Sequence, residues 1–375
     1  MSDAAGPLVI IQPALPEFRV EYFAALAAGW PAPVVVAHGA DLPGGVPNDR
    51  REAPYRRVEL PWRPGRFGPQ LAWAGVAQVV DRAGVLLVSG DLNQFAVHRL
   101  LALRWQGRLP PLAALSQFRR ADASWLTSTL KPWWHRAFDG LILYTEREAE
   151  HYRRLGHPAK TLTWLNNGLS RVPPAPGIEA LHARCAAAPL VCLGRHITKN
   201  RFDLALRGFA AYRAAGGHRR LVVIGTGPES DALHRLAEPL GAAVEFAGAV
   251  YDPAALDRCL SGAYAVIHPL AMGLSINTAF GYALPVVACA DAHRHMPEFW
   301  IWSEGQTGFG FSAPIAQEQL AVPGIAQCLQ RLDALTPERY VAMCLNAHTA
   351  VTPLTTAAMA ERSLGLLRRL GRLAP

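Results

Sequence analysis

The feature that most restricts what this chain can become is an alternation, run through twice, of short apolar or β-branched runs with longer amphipathic stretches. Such alternation marks parallel strands joined by crossover helices, because a strand covered on both faces reads as one continuous apolar run. In the first half, strands are expected at Leu8–Ile11, Pro33–Ala37, Val85–Val88, Leu141–Tyr144 and Thr161–Trp164, with helices such as Phe18–Ala28, Phe95–Trp105 and Arg147–Leu155 between them. The cluster Val172-Pro173-Pro174-Ala175-Pro176-Gly177 can continue neither a helix nor a central strand, so a linker is expected over 171–187. A second series follows at Leu190–Leu193, Arg220–Ile224, Val244–Phe246, Ala265–His268, Pro285–Ala288 and Phe309–Phe311. The fold class is therefore α/β, with one Rossmann-like domain over 1–170 and another over 188–352. Residues 353–375 form a basic amphipathic helix started by Pro353, expected to pack on the body of the protein rather than on a membrane.

Composition narrows the class of function. With 375 residues, 51% apolar and 18% charged, the chain has material for two cores and is neither a disordered tail nor a low-complexity fibre. Its apolar runs fall far short of the ~20 residues that span a bilayer, and no signal-like segment opens it, so a soluble, unexported chain is expected. The six cysteines all lie in the second half, with no CxxC pair, and read as reduced core residues of a cytoplasmic protein. A net charge of +8 favours an anionic partner. Nucleic acid is not expected, since no recognised binding signature accompanies the charge.

Ligands of open parallel sheets bind beyond the carboxyl ends of the strands, so the turns that follow each strand carry most information. After Leu190–Leu193 comes Gly194-Arg195-His196-Ile197-Thr198-Lys199-Asn200-Arg201, three cations beside a glycine at a helix start. Such a turn can hold a diphosphate between charged side chains and backbone N–H groups. After Arg220–Ile224 comes the glycine turn Gly225-Thr226-Gly227. Beyond Ala265–His268, Gly273-Leu274-Ser275 opens a helix that continues through Asn277 and Thr278, and an anion is expected at Gly273–Ser275.

In their order and spacing these segments resemble the nucleotide-sugar half of GT-B glycosyltransferases, particularly glycosyltransferase family 4. The likeness runs from Gly194-Arg195 and Lys199 through Gly225-Thr226-Gly227, Phe246-x-Gly248, Gly273-Leu274, Pro285-Val286-Val287 and Met296-Pro297-Glu298 to Thr307-Gly308-Phe309. In the first half, Gln12, Arg19 with Tyr22-Phe23, Tyr144-Thr145-Glu146 and Asn167-Gly168-Leu169 are similar to a subgroup acting on bacterial surface glycans. The resemblance implies two domains facing a cleft, with the C-terminal helix returning to the first. It also implies sugar transfer, with retention, from a nucleotide-diphosphate donor to a glycan or lipid-linked saccharide, in surface polysaccharide or lipopolysaccharide synthesis. Arg195 and Lys199 are then the catalytic candidates, with Arg201 in reserve. Donor contacts are expected from Gly194, Arg201, Gly225, Gly227, Gly273, Leu274, Ser275, Asn277, Thr278 and Glu298.

The family's Glu-x7-Glu pair would fall at Leu270 and Thr278, neither of which is acidic; the related subgroup lacks the pair as well. Asn277 and Thr278 are the expected substitutes on ribose. A family histidine of the first half has no counterpart in Leu115–Asp122, where Gln117 and Asp122 are expected to join Gln12 and Arg19 in binding the acceptor. His293, His295 and Glu298 crowd one segment, yet no metal and no permanent cofactor are expected, because side chains and helix dipoles already neutralise the diphosphate. Trp62-Arg63, Arg104-Trp105 and Trp133-Trp134-His135-Arg136 suit contact with an anionic membrane at its cytoplasmic face. The alternatives are a noncatalytic scaffold of the same fold and a nucleotide-sugar 2-epimerase, the latter disfavoured by the scarcity of carboxylates.

Overall fold

The computed structural model describes residues 6–42, 47–66, 68–117, 125–250 and 252–372. It divides into two compact units. One runs to Ser170 and takes up the chain again from Leu354; the other is Arg171–Pro353.

The first unit contains β1 (Leu8–Gln12), α1 (Glu17–Gly29), β2 (Val34–Gly39), β3 (Arg56–Leu60), a short antiparallel pair β4 (Trp62–Arg63) and β5 (Gln70–Leu71), and α2 (Trp73–Val80). It continues with β6 (Val85–Ser89), α3 (Phe95–Trp105), β7 (Leu112–Ser116), α4 (Trp125–His135), β8 (Gly140–Leu143), α5 (Glu146–Arg154) and β9 (Leu162–Trp164). Seven strands form one parallel sheet in the order β3-β2-β1-β6-β7-β8-β9. Side chains alternate across it. Leu8 and Ile10 therefore join Tyr22 and Phe23 on one face, while Val9 and Ile11 join Val76 and Leu100 on the other.

The second unit contains α6 (Ile178–Ala187), β10 (Leu190–Leu193), α7 (Phe202–Ala214), β11 (Leu221–Ile224), α8 (Ser230–Ala237), β12 (Val244–Gly248), α9 (Pro253–Ser261) and β13 (Ala265–Ile267). After these come α10 (Ser275–Gly281), β14 (Val286–Cys289), β15 (Gly308–Phe311), α11 (Ala321–Asp333) and α12 (Pro337–Val351). Its six-stranded parallel sheet has the order β12-β11-β10-β13-β14-β15. In both sheets the order reverses beside the first strand, between β1 and β6 and between β10 and β13. A crevice opens at such a point because the two crossovers leave in opposite directions.

The expected linker 171–187 is largely structured: only its proline-rich beginning is free of helix, and α6 is clamped to the second unit. Arg184 is 4% exposed and gives five hydrogen bonds to the carbonyls of Ser261, Tyr282 and Ala283, capping the ends of α9 and α10. The final helix, α13 (Thr356–Leu370), is N-capped by Thr355 and packs in the first unit, with Leu364, Leu366 and Leu367 in the same core as Leu8 and Ile10. Tyr22 donates to Ser363 Oγ at 2.8 Å, and Arg368 donates to the Gly29 carbonyl at 2.7 Å. The apolar stripe of α13 is thus consumed by the fold. All six cysteines are free thiols.

Candidate functional site

The loop from β10 to α7 is shaped by backbone contact. Gly194 sits at φ +148, a left-handed region that favours glycine. The turn at Gly225 lies so close that a Cβ there would be 1.9 Å from the Gly194 carbonyl oxygen, and one on Gly227 would be 2.3 Å from that of His196. Both glycines of the Gly225-Thr226-Gly227 turn are therefore needed to seat the cationic loop. Hydrogen bonds finish the seating: His196 N–H donates to the Thr226 carbonyl at 2.9 Å, and Glu229 N–H to the His196 carbonyl at 3.0 Å. The buried His196 ring meets Ser230 Oγ at 2.9 Å through Nδ1, and buried Asn200 donates to the Arg195 carbonyl at 2.8 Å.

On this platform Arg195 and Lys199 are exposed, and among the described residues neither side chain forms an ion pair or hydrogen bond. Arg201 differs. It occupies the left-handed region at φ +53, and its guanidinium is held by Asp203 at 2.8 Å and by Glu318. The hydrogen bond to Asp203 raises the pKa of Arg201 and, with the guanidinium charge, keeps the Asp203 carboxyl low despite its burial. Two carboxylates thus already engage Arg201, unlike Arg195 and Lys199. A groove of about 630 Å³ between α7 and α8 includes Arg201, Asp203 and Glu229 in its lining, but Arg195 and Lys199 lie outside it.

Across the strand-order reversal stands β13. His268, just beyond it, is 2% exposed, and its Nε2 lies 3.4 Å from where a Gly194 Cβ would be. Desolvation pushes the His268 pKa down to about 3, so a neutral imidazole backs the cationic loop. Gly273 packs beside Met296 and Glu298; a Cβ there would be 3.2 Å from Met296 and 3.5 Å from the Glu298 carboxylate. Glu298 is 7% exposed and is positioned beside the start of α10. Leu274 precedes α10 without a side-chain cap, and Ser275 and Thr278 are half-buried. Asn277 is fully buried beside them. Helix α10 turns that residue inward.

His293 is exposed, whereas His295 is buried. Nδ1 of His295 accepts from Met272 N–H at 3.2 Å, its Nε2 faces the Cys289 carbonyl at 2.8 Å, and its ring stacks on Phe299 at 3.7 Å. Burial takes its pKa down to about 4. Both imidazole nitrogens are thus committed to the backbone. Among the described residues no three His, Cys, Asp or Glu side chains gather as a metal-binding group. His268 and Asn200, not expected from the sequence, also shape this edge of the sheet. Their signal was positional: one follows a strand and the other lies inside the cationic turn.

In the first unit Gln12 ends β1 and is 9% exposed. Arg19 lies in the first turn of α1 and is 4% exposed. Half-buried Gln117 follows β7, and its carbonyl accepts from Lys131. Asp122 lies outside the described residues.

With this geometry in place, comparison with known proteins decides the fold family. Residues 188–331 match the family model described as Glycosyl transferases group 1. The chain has the GT-B fold. It superposes with a TM-score of 0.66 and 11% identity on the lipopolysaccharide outer core galactosyltransferase WaaB, covering 97% of this chain and 99% of that one. Anabaena HepE in complex with UDP and glucose gives 0.62 and 16% identity, covering 96% and 98%. The pneumococcal O-GlcNAc transferase GtfA in complex with UDP and GlcNAc gives 0.64 and 9% identity, covering 98% and 99%. No curated protein matches the sequence of the chain. Within this GT-B chain, the group 1 match takes in the cationic loop, both glycine turns and Glu298. The N-terminal unit lies outside the match, so Gln12, Arg19 and Gln117 stand on their own geometry.

Proposed function

We propose that this GT-B protein transfers a hexose from a nucleoside-diphosphate sugar to a glycan or lipid-linked saccharide, with retention, in the synthesis of a bacterial surface polysaccharide or lipopolysaccharide. The observation that carries the reading is the pair of unengaged cations, Arg195 and Lys199, on a rigid loop at the strand-order reversal of the second unit. Cleavage of the bond between the anomeric carbon and the phosphate oxygen builds negative charge on the leaving diphosphate. Cations held beforehand where that charge develops lower the barrier without reorganising at the moment of reaction. The acceptor hydroxyl oxygen forms the new bond to the anomeric carbon, and its proton passes to an oxygen of the departing phosphate, so no carboxylate base is required. Gly194, Gly225 and Gly227 hold the loop, Gly273–Ser275 supply backbone donors, and Thr278 and Glu298 flank the donor. Arg201 takes no phosphate in this reading.

UDP is the first nucleotide to test, because HepE and GtfA both hold it. The first unit is assigned the acceptor through Gln12, Arg19, Gln117 and Asp122. A cytoplasmic protein is proposed, and its peripheral contact with an anionic membrane draws on Trp105 and Trp133, exposed at 88% and 66%, and on Arg136, stacked 4.3 Å over the Trp133 ring. No described helix is long and apolar enough to cross a bilayer.

The test is release of nucleoside diphosphate from a panel of UDP-sugars in the presence of bacterial surface glycans. Arg195→Ala is expected to lower kcat by about 10²–10³-fold, the usual cost of removing one donor from a developing anion. Unchanged turnover in that variant removes Arg195 from the mechanism. Donor binding without any turnover replaces the enzyme with a scaffold.

A further inference from the structure

The first unit holds a buried cation without a counter-charge. Arg19 is 4% exposed, and among the described residues it enters no ion pair; Glu17, a carboxylate of the same helical turn, leans toward Arg51 at 3.8 Å. The guanidinium carbon lies 5.3 Å from the ring of Phe18, 5.7 Å from Tyr22 and 5.2 Å from Tyr144. Nη1 makes one long hydrogen bond, 3.4 Å to Asn167 Oδ1, and Nη2 is buried with no partner. Gln12, at the carboxyl end of β1, also has a buried Nε2 without a partner. Aromatic faces stabilise a cation but offer no acceptor to its N–H groups. Leaving such groups unmet is costly, and more so when they are charged.

Two other buried arginines show what a structural arginine looks like in this protein. Arg184 is saturated by three carbonyls, and Arg219 by Asp333 at 2.6 Å together with the carbonyls of Arg184, Cys185 and Ala188. Arg19 has no such set. Both orphaned atoms, Arg19 Nη2 and Gln12 Nε2, are donors at the carboxyl edge of one sheet, so what is lacking is a group rich in acceptor oxygens. A guanidinium meets a phosphate or carboxylate with two parallel N–H groups. Phe18, exposed at 51%, is the one of the three rings around the guanidinium that lies at the surface.

We propose that Arg19 anchors an anion site in the first unit, which takes a phosphate or carboxylate group. Resting on the function proposed above, that group belongs to the acceptor, which is then an acidic or phosphorylated saccharide.

The test uses the full chain carrying Arg195→Ala and Lys199→Ala, so that the second-unit cations do not report, and follows Tm in inorganic phosphate and, separately, in glucuronate. A rise of a few degrees is expected with at least one anion. Response to phosphate alone identifies a phosphoryl group, and response to glucuronate alone a carboxylate. Adding Arg19→Met should abolish the rise. It should also leave the anion-free Tm equal to or above that of the parent, because an unpaired buried charge has been removed. A rise that survives Arg19→Met, no rise with either anion, or an anion-free Tm that falls as a structural arginine would require, each overturns the site. If Arg19→Met does not fold, Arg19→Lys decides. A point charge without the planar fork should weaken the anion response about tenfold, and an undiminished response rejects the proposal. None of these readouts involves turnover, so failure here is distinct from failure of the transferase reading.

Discussion

The two sheets place positive charge at their carboxyl edges in opposite ways. In the second unit Arg195 and Lys199 stand in solvent on a loop whose backbone is pinned, whereas in the first Arg19 is enclosed by three aromatic rings. An exposed cation stays hydrated until its ligand arrives and can release a multiply charged product readily. An enclosed one has already lost its water, so it discriminates sharply between a ligand that matches its donors and one that does not. In the proposed transferase, that difference would suit a leaving group that departs at every turnover and an acceptor that is selected.

The comparison breaks most severely at the pinned loop. Gly225→Ala would put a methyl group 1.9 Å from the Gly194 carbonyl oxygen, at a φ of +136 that L-residues rarely adopt. Strain and overpacking together should cost roughly 2–5 kcal/mol. If the loop yields instead of the whole unit, Arg195 and Lys199 lose their positions and UDP affinity falls with little change in Tm. Urea unfolding and UDP titration of the same variant separate these outcomes. A variant matching the parent in both would show that backbone contact does not set the loop.

Acid provides a second, smaller contrast. His268 and His295 in the second unit have pKa values pushed by burial down to about 3 and about 4, and His135 in the first down to about 3. The ordinary value is about 6.5. The unfolded chain therefore binds more protons than the folded chain below that pH, and stability is fully present above about 6.5 and lost as pH falls toward the folded values. At pH 5 each imidazole should remove roughly 2 kcal/mol. His196 in the second unit and His157 in the first, both lowered chiefly by desolvation, add in the same direction. Amide exchange at pH 7 and pH 5 should show the second unit loosening more than the first. His268→Gln should reduce its acid sensitivity.

The units also differ in how far they can be read from the chain. All six strands of the second unit are legible: β11, β13 and β14 are apolar runs rich in β-branched residues, and β10, β12 and β15 are short stretches with Val or Phe that end at glycine or polar turns. In the first, β3 escapes because Arg56-Arg57-Val58-Glu59-Leu60 is an edge strand with little buried surface, and β7 because Leu112-Ala113-Ala114-Leu115-Ser116 has no β-branched residue. Its strand conformation is set by pairing with β6 and β8, a tertiary influence that local propensity does not contain. The site divides along similar lines. The cations and glycines of the β10–α7 loop are adjacent in sequence, so their chemistry is visible there. Which face of α10 carries Asn277 inward, and which carboxylates claim Arg201, depend on segments up to about a hundred residues away. Burial of Arg19 runs against the usual exposure of arginine at a helix start.

The gentlest probe is Thr198→Val. Thr198 Oγ1 donates to Glu229 Oε1 at 2.9 Å, tying this exposed part of the loop to the residue before α8, as His196 and Ser230 tie its buried part. Were the loop held mainly by such bonds, losing this one would release Lys199, the next residue, and weaken the grip on diphosphate. The contacts around Gly194, Gly225 and Gly227 argue instead that the backbone carries the load. A solvent-exposed hydrogen bond contributes only about 0.5–1.5 kcal/mol. Thr198→Val should accordingly lower stability by no more than about 1 kcal/mol and leave UDP affinity within a few-fold of the parent. A loss of affinity as large as that expected for Gly225→Ala would move the control of the second unit's cations from backbone packing to side-chain bonding, and would make the two units more alike than their structures suggest.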